Sequence, residues 1–163
     1  CSHLMGISQN QLVKSMKEFK GVEHRLEHVR TINEVEYIND SKATNINSVI
    51  VAINTYDQPI VLILGGSNKG ANFRLLLPHI KSSHVRDIVS YGDAGGQINT
   101  ALGDAVRSVQ VTDLSSAVKK AQLMAAPGDI VLLSPGCASY DEFSNFEERG
   151  NKFKSIIKNL ETS

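Results

Sequence analysis

The chain has little cysteine: Cys1 and Cys137 are the only two in 163 residues. Two thiols do not build a disulfide framework, so a packed core must hold the fold together, and a reducing cytoplasmic setting is expected. It has no excess of either charge, since 17 Lys plus Arg balance 17 Asp plus Glu. No basic stripe offers itself to a phosphate backbone, which argues against nucleic acid as a partner. No apolar run approaches the roughly 18 residues of a membrane span. No charged-then-apolar leader opens the chain, so no membrane partner is expected.

What is present suits a globular domain. Hydrophobic residues make up 41% and charged residues 21%, an ordinary balance for a chain long enough to bury a core. The opening Cys-Ser-His-Leu-Met reads as a cloning remnant. Residues 1–7 are therefore set aside as remnant and linker, Cys1 and His3 carry no functional weight, and residues 8–163 are read as one domain.

Ser8 with Gln11 reads as a capping box, and Leu12, Met16 and Phe19 share a helical face behind it. Two β-like runs, Leu26 to Ile32 and Val35 to Asn39, are joined by Asn33-Glu34, which predicts an antiparallel hairpin. Alternation follows. Helices are expected at Ile46 to Ile53, Phe73 to Ile80, Gln97 to Leu102 and Leu114 to Met124, the last capped by Thr112 or Asp113, and from about Asp141 to Leu160. Strands are expected at Pro59 to Leu64, Val85 to Tyr91, Val106 to Val111 and Asp129 to Ser134. Ile60 to Leu64 and Ile130 to Leu133 are apolar at every position, as strands covered by helices on both faces must be. The expectation is an α/β fold: a Rossmann-like open, mostly parallel sheet of about six strands, with an antiparallel edge strand and helices on both faces. Ligands bind beyond the carboxyl ends of such strands. That rule puts Asp40 to Asn45, Gly65 to Gly70, Gly92 to Gly96 and Ser134 to Tyr140 on one rim.

Four segments have the composition for chemistry. In Asn39-Asp40-Ser41-Lys42-Ala43-Thr44-Asn45 a carboxylate, an ammonium and two hydroxyls meet a helix start, which suits phosphate or carboxylate; the plainer alternative is that Thr44 caps the helix and Lys42 is solvated. Gly65-Gly66-Ser67-Asn68-Lys69-Gly70 lacks the Gly-x-x-x-x-Gly-Lys-Ser/Thr pattern of a phosphate loop. It leaves Lys69 at the ligand edge, or is an ordinary turn. In Ser134-Pro135-Gly136-Cys137-Ala138-Ser139-Tyr140-Asp141 the small residues admit a ligand to the backbone, and Ser139 ahead of the last helix either holds a carboxylate or simply caps that helix. Cys137 reads as a buried thiol rather than a nucleophile, since no histidine has an obvious claim to activate it. In Glu23-His24-Arg25-Leu26-Glu27 a guanidinium beside an imidazole suits nucleotide phosphates, unless the cluster is merely surface charge. His24 and His28 have no convincing third ligand, so no metal site is expected. Gly92-Asp93-Ala94-Gly95-Gly96 is not the dinucleotide fingerprint.

Taken in order, His24-Arg25-Leu26-Glu27, Asp40-Ser41-Lys42-Ala43-Thr44-Asn45, Gly65-Gly66 with Lys69-Gly70, Leu133-Ser134-Pro135-Gly136-Cys137-Ala138-Ser139 and Asn145-Phe146-Glu147-Glu148-Arg149-Gly150 resemble the C-terminal domain of the Mur ligase family, in its D-glutamate-adding branch. The resemblance runs from about Ser8 to Leu160. It implies an ATP- and Mg2+-dependent ligase of peptidoglycan synthesis that joins D-glutamate to UDP-N-acetylmuramoyl-L-alanine through an acyl phosphate. It implies that Thr44, Lys69, Ser139 and Phe146 hold D-glutamate with the Tyr140 amide alongside. It further implies that Lys42, Arg25 and Asp40 are catalytic and face the transferring phosphoryl group, with His24 beside the nucleotide's base or ribose. ATP and Mg2+ would be held mainly by a central domain outside this chain, the complete enzyme is expected to act as a monomer, and this chain by itself is expected to be inactive. Tyr140 stands where the family also has leucine or tryptophan, and Gly136 where alanine is common. A stand-alone ligand-binding module of the same fold and a folylpolyglutamate-type ligase are the alternatives; the Asp40 to Asn45 string argues against the second.

Overall fold

The computed structural model describes residues 21–160. The helix expected from Ser8 to near Gly21 lies, up to residue 20, outside the described residues. Six strands form one sheet: β1 (Glu27–Ile32), β2 (Val35–Asn39), β3 (Ile60–Gly65), β4 (Val85–Tyr91), β5 (Arg107–Gln110) and β6 (Ile130–Gly136). Among the described residues five α-helices accompany them: α1 (Ile46–Ile53), α2 (Leu77–Ser82), α3 (Gly95–Leu102), α4 (Leu114–Met124) and α5 (Phe146–Lys158). The strands lie in the order β1-β2-β6-β3-β4-β5. Only β1 and β2 pair antiparallel, and β2-β6, β6-β3, β3-β4 and β4-β5 are parallel. The expected fold class is therefore what the chain adopts. Asn33 and Glu34 close the hairpin with both φ positive, at 49° and 61°, the twist a two-residue turn between right-twisted strands needs.

The two faces of the sheet follow the alternation within each strand. Ile60, Leu62 and Leu64 pack with Ile88, Ile130 and Leu132 under α1, α2 and α3. Val61 and Ile63 pack with Val89, Val131 and Leu133 under α4 and α5. Helix α1 is rich in β-branched residues, which are indifferent helix formers. It persists because Ile46, Val49, Ala52 and Ile53 are buried, and each full burial of a large aliphatic side chain contributes about 1.5–3 kcal/mol.

Several expected boundaries moved. The segment from Phe73 to Ile80 is a 3-10 turn over Phe73–Leu76 followed by α2. Strand β6 runs two residues past Ser134, through Pro135, because Gly136 still pairs with Gly65. The last helix begins at Phe146 rather than about Asp141. Asn145 caps it, its side chain accepting from Glu148 N at 2.7 Å, while Glu148 reaches back to Ser144 N at 2.8 Å. That exchange is a near relative of the capping box. Residues 139–143 instead form a separate turn, with Glu142 N and Phe143 N both donating to Ser139 O.

The connections place the site. After β3 the chain turns onto the face of α1 to α3, and after β6 it turns onto the face of α4 and α5. Since β3 and β6 are neighbours, the loops at their carboxyl ends part in opposite directions. This is the switch point at which open parallel sheets bind ligands.

Candidate functional site

Three loops meet at that switch point, and the backbone ties them together. Ser67 N donates to Ala138 O at 2.9 Å, joining the loops after β3 and β6. Gly136 N donates to Ala43 O at 2.8 Å, joining the loops after β6 and β2. The approach requires glycine at 66, where φ is +120° and a Cβ would run into the Ala138 carbonyl.

The third tie is Arg149, fully buried in α5. Its guanidinium donates to Ser41 Oγ at 3.0 Å, Ser41 O at 2.8 Å, Cys137 O at 3.1 Å and Ala138 O at 3.2 Å. Ser41 Oγ in turn donates to Phe146 O at 2.8 Å. One cation thus holds the loop after β2, the loop after β6 and the start of α5 in register, with five donors in a fixed fork. The sequence reading gave Arg149 no role. The signal was its spacing: Phe146, Arg149, Phe153 and Ile157 fall on one helical stripe, and a charged residue on an apolar stripe needs partners.

A cavity of 780 Å³ opens between these loops. Thr44, Lys69, Ser139, Tyr140 and Phe146 all line it, so the five residues expected around one ligand surround one space. Ser139 does not cap α5, as Asn145 does, and Thr44 does not cap α1, because Asn45 does so through Ser48 N at 3.0 Å. Both plainer readings of these hydroxyls are thereby corrected. Among the lining residues Lys69 is the cation and Glu147 the anion. The Lys69 ammonium stands 4.6 Å from the Tyr140 ring centre. Its neighbour Asn68 accepts from Ala71 N at 2.7 Å and donates to Gln97 of α3 at 2.6 Å, which braces the loop. Sequence reasoning passed over Asn68, since asparagine in a glycine-rich stretch reads only as a turn residue. Cys137 also lines the cavity, but burial pushes its thiol up to about 12, so it stays protonated and inert.

A second cavity of 220 Å³ lies beside the first, lined by Arg25, Asp40 and Lys42 among others. Asp40 is buried between Ser134 Oγ, which donates at 2.9 Å, and Leu26 N, at 3.3 Å. Burial raises its carboxyl to about 6, against the pull of those two donors and of Arg25. The exposed Arg25 is flanked by two residues with left-handed backbone, His24 at φ 62° and Leu26 at φ 45°. Leucine rarely adopts φ > 0, so local strain is held at Leu26, beside the guanidinium. The Lys42 ammonium lies 5.2 Å from the Phe146 ring centre, and this pair joins the two cavities.

His24 lies beneath this surface, 4% exposed. Its Nδ1 is 3.0 Å from Asn39 Nδ2, and the Asn39 amide oxygen accepts from Ser41 N. The network therefore makes Nδ1 the acceptor and puts the proton on Nε2. Burial, reinforced by Lys154, lowers the imidazole below its usual value. Gly150 makes room for the ring, since a Cβ there would strike Nδ1.

The segment Gly92 to Gly96, expected on the same rim, lines neither cavity. Gly92 and Asp93 face a third depression of 610 Å³ with Asp113, Asp141 and Glu142, an acidic region at the ends of β4 and β5. Among the described residues no group of three or more His, Cys, Asp or Glu side chains is placed to hold a metal ion, and both Asp40 oxygens are already hydrogen-bonded.

The model of the family described as Mur ligase, glutamate ligase domain, matches residues 24–137. Among similar curated proteins, the UDP-N-acetylmuramoylalanine–D-glutamate ligase of Chloroherpeton thalassium is 44% identical over 96% of this chain and 33% of its own length. That of Pelotomaculum thermopropionicum is 46% identical over 96% and 34%, and that of Clostridioides difficile 47% over 87% and 32%. The chain spans about a third of the length of these relatives. Among solved structures, UDP-N-acetylmuramate–alanine ligase from Thermotoga maritima superposes with a TM-score of 0.66 at 12% identity, covering 96% of this chain and 35% of that one. A bifunctional folylpolyglutamate synthase/dihydrofolate synthase from Yersinia pestis, complexed with AMPPNP and Mn ion, gives 0.66 at 16%, covering 93% and 35%. At these identities the two structures speak for the fold alone.

Proposed function

The chain belongs to the Mur ligase family, in its C-terminal, glutamate ligase domain, and from that premise we propose that residues 8–163 form the amino-acid-binding domain of a ligase that adds D-glutamate to UDP-N-acetylmuramoyl-L-alanine in the cytoplasm. The observation that carries this reading is the convergence of Thr44, Lys69, Ser139, Tyr140 and Phe146 on one cavity, joined through Lys42 and Phe146 to a second cavity that offers Arg25 and Lys42.

In this reading D-glutamate occupies the larger cavity. A carboxylate meets the Lys69 ammonium, the Thr44 and Ser139 hydroxyls and the Tyr140 amide complete its hydrogen bonds, and Phe146 covers the apolar methylenes. ATP is the co-substrate and phosphorylates the carboxylate of the UDP-linked substrate. The D-glutamate amine attacks the resulting acyl phosphate, the C–N bond forms and phosphate leaves. Arg25 and Lys42 stand where cationic groups stabilise charge on the transferring phosphoryl group. Asp40 fixes the strained turn that presents Arg25, through Leu26 N. His24, buried and neutral, supports that turn from below. Mg2+ and the bulk of ATP fall to parts of the ligase outside this chain, and the second cavity here is small, at 220 Å³. A folylpolyglutamate-type ligase shares the fold, but the relatives at 44–47% identity are D-glutamate ligases.

The test is an amide NMR titration of the 163-residue chain with D-glutamate, L-glutamate and ATP. D-Glutamate is expected to shift Thr44, Lys69 and Ser139 selectively, while the purified chain releases no phosphate from ATP. Equal responses to both enantiomers, or shifts confined to the acidic region around Asp93 and Asp113, overturn the reading.

A further inference from the structure

Tyr140 is one of five large hydrophobic side chains that the described residues leave exposed, at 63%. This ring has a partner. The Lys69 ammonium lies 4.6 Å from its centre, well within the range at which a cation is attracted to an aromatic face. Among the described residues Lys69 makes no ion pair with a carboxylate, so the ring is what meets its charge.

The loops that carry the two residues are already held to each other, two residues before each. Ser67 N bonds Ala138 O at 2.9 Å, and Asn68 is braced both to Ala71 N and to Gln97. The Lys69 stem is long, flexible and exposed, and ordering it on ligand binding opposes affinity. A ring that holds the ammonium in place beforehand removes part of that cost, and it does so without neutralising the charge, as a carboxylate would. A parallel arrangement stands on the other wall, where the Phe146 ring carries the Lys42 ammonium at 5.2 Å.

We propose that the Tyr140 side chain is a positioning residue of the larger cavity: its ring holds the Lys69 ammonium in the place where an amino-acid carboxylate is received. The proposal rests on the reading of that cavity as the D-glutamate site. It adds a side-chain function at a position where the resemblance implied only a backbone contact. The hydroxyl has no part in it, so phenylalanine preserves the device and leucine abolishes it.

The experiment compares the 163-residue wild type with Tyr140→Phe and Tyr140→Leu. Because the side chain is exposed, both variants keep the core, which the amide spectrum verifies. The first readout needs no ligand. Side-chain NMR signals of Lys69 are expected to be displaced upfield by the ring current in wild type, lost to random-coil positions in Tyr140→Leu and rescued in Tyr140→Phe. The second is the dissociation constant for D-glutamate, expected to rise roughly two- to five-fold in Tyr140→Leu, the size of an exposed cation–aromatic contact, and to return with phenylalanine. Lys69 signals that are the same in wild type and Tyr140→Leu overturn the proposal. So does equal D-glutamate affinity in all three proteins. If none of the three binds D-glutamate, the reading of the cavity fails and the proposal with it, a pattern distinct from equal binding by all.

Discussion

At the carboxyl ends of β2, β6 and β3 the chain takes charge inside. Arg149 is fully buried and bonded to carbonyls and a hydroxyl, and Asp40 is 5% exposed beneath Arg25. At the ends of β4 and β5, on the same side of the same sheet, carboxylates serve the backbone. Asp113 accepts from Ser116 N at 2.8 Å, Glu142 from Leu114 N at 3.0 Å and Asp141 from Asp93 N at 3.3 Å. The first region spends stability to place loops around a cavity, while the second uses carboxylates as caps. A glycine-rich turn at a strand end is common to both, so that feature alone does not mark a ligand site; the buried cation and the convergence of three loops do.

The largest effect expected from this contrast is at Arg149. Arg149→Met keeps much of the volume and strands the carbonyls of Ser41 and Cys137, while Ala138 O keeps its bond from Ser67 N. A loss of about 3–5 kcal/mol is expected, read as a fall in the urea midpoint, with amide shifts in all three loops. A loss below about 1 kcal/mol would dissolve the distinction between the two regions.

Next in size is the pH dependence of Asp40. Its carboxyl, ordinarily at 3.8, stands at about 6 in the fold because it is buried. The folded state therefore binds the proton more tightly than the unfolded state. That contribution to stability is complete below about pH 3.8 and is lost as pH rises through about 6, at most roughly 3 kcal/mol in total. Asp40→Asn removes the titration, so its unfolding free energy relative to wild type is expected to improve between pH 4 and pH 7.5. A relative decline over that range contradicts the assignment.

The smallest effect sharpens the contrast from the other side. Asp113→Ala removes the cap of α4 and is expected to cost about 1 kcal/mol while leaving the response to D-glutamate intact. Lys69→Met is expected to do the reverse, with stability little changed and affinity reduced by about tenfold or more as a charge-assisted hydrogen bond is lost. Thermal unfolding and titration of the two variants separate them, and a matching pair of losses in both would erase the division.

Much of this was legible beforehand because it is local. The strand at Ile60 to Leu64 is read from its own apolar run, the hairpin from Asn33-Glu34, and α4 from the stripe Leu114, Ala117, Val118 and Ala121 behind Asp113. The candidate residues were legible as motif strings. The error at the start of α5 has a local cause as well. Ser139 and Asp141 both have good capping side chains, and composition does not say that Asn145, with Glu148 behind it, makes the exchange that starts the helix. Arg149 escaped because a single arginine in a helix is usually solvated, and only packing reveals that this one is enclosed.

The amino-acid order by itself determined the alternation of elements, the hairpin and the parallel α/β class, since periodicity and turn chemistry act over a few residues. The tertiary structure alone decided that β6 enters between β2 and β3, that three of the four glycine-rich or small-residue loops enclose one cavity while the fourth joins an acidic region, and that Lys69 rests on Tyr140. Each of those depends on contacts between residues far apart in the chain, where no local pattern carries the information and only the closing of the core selects the arrangement.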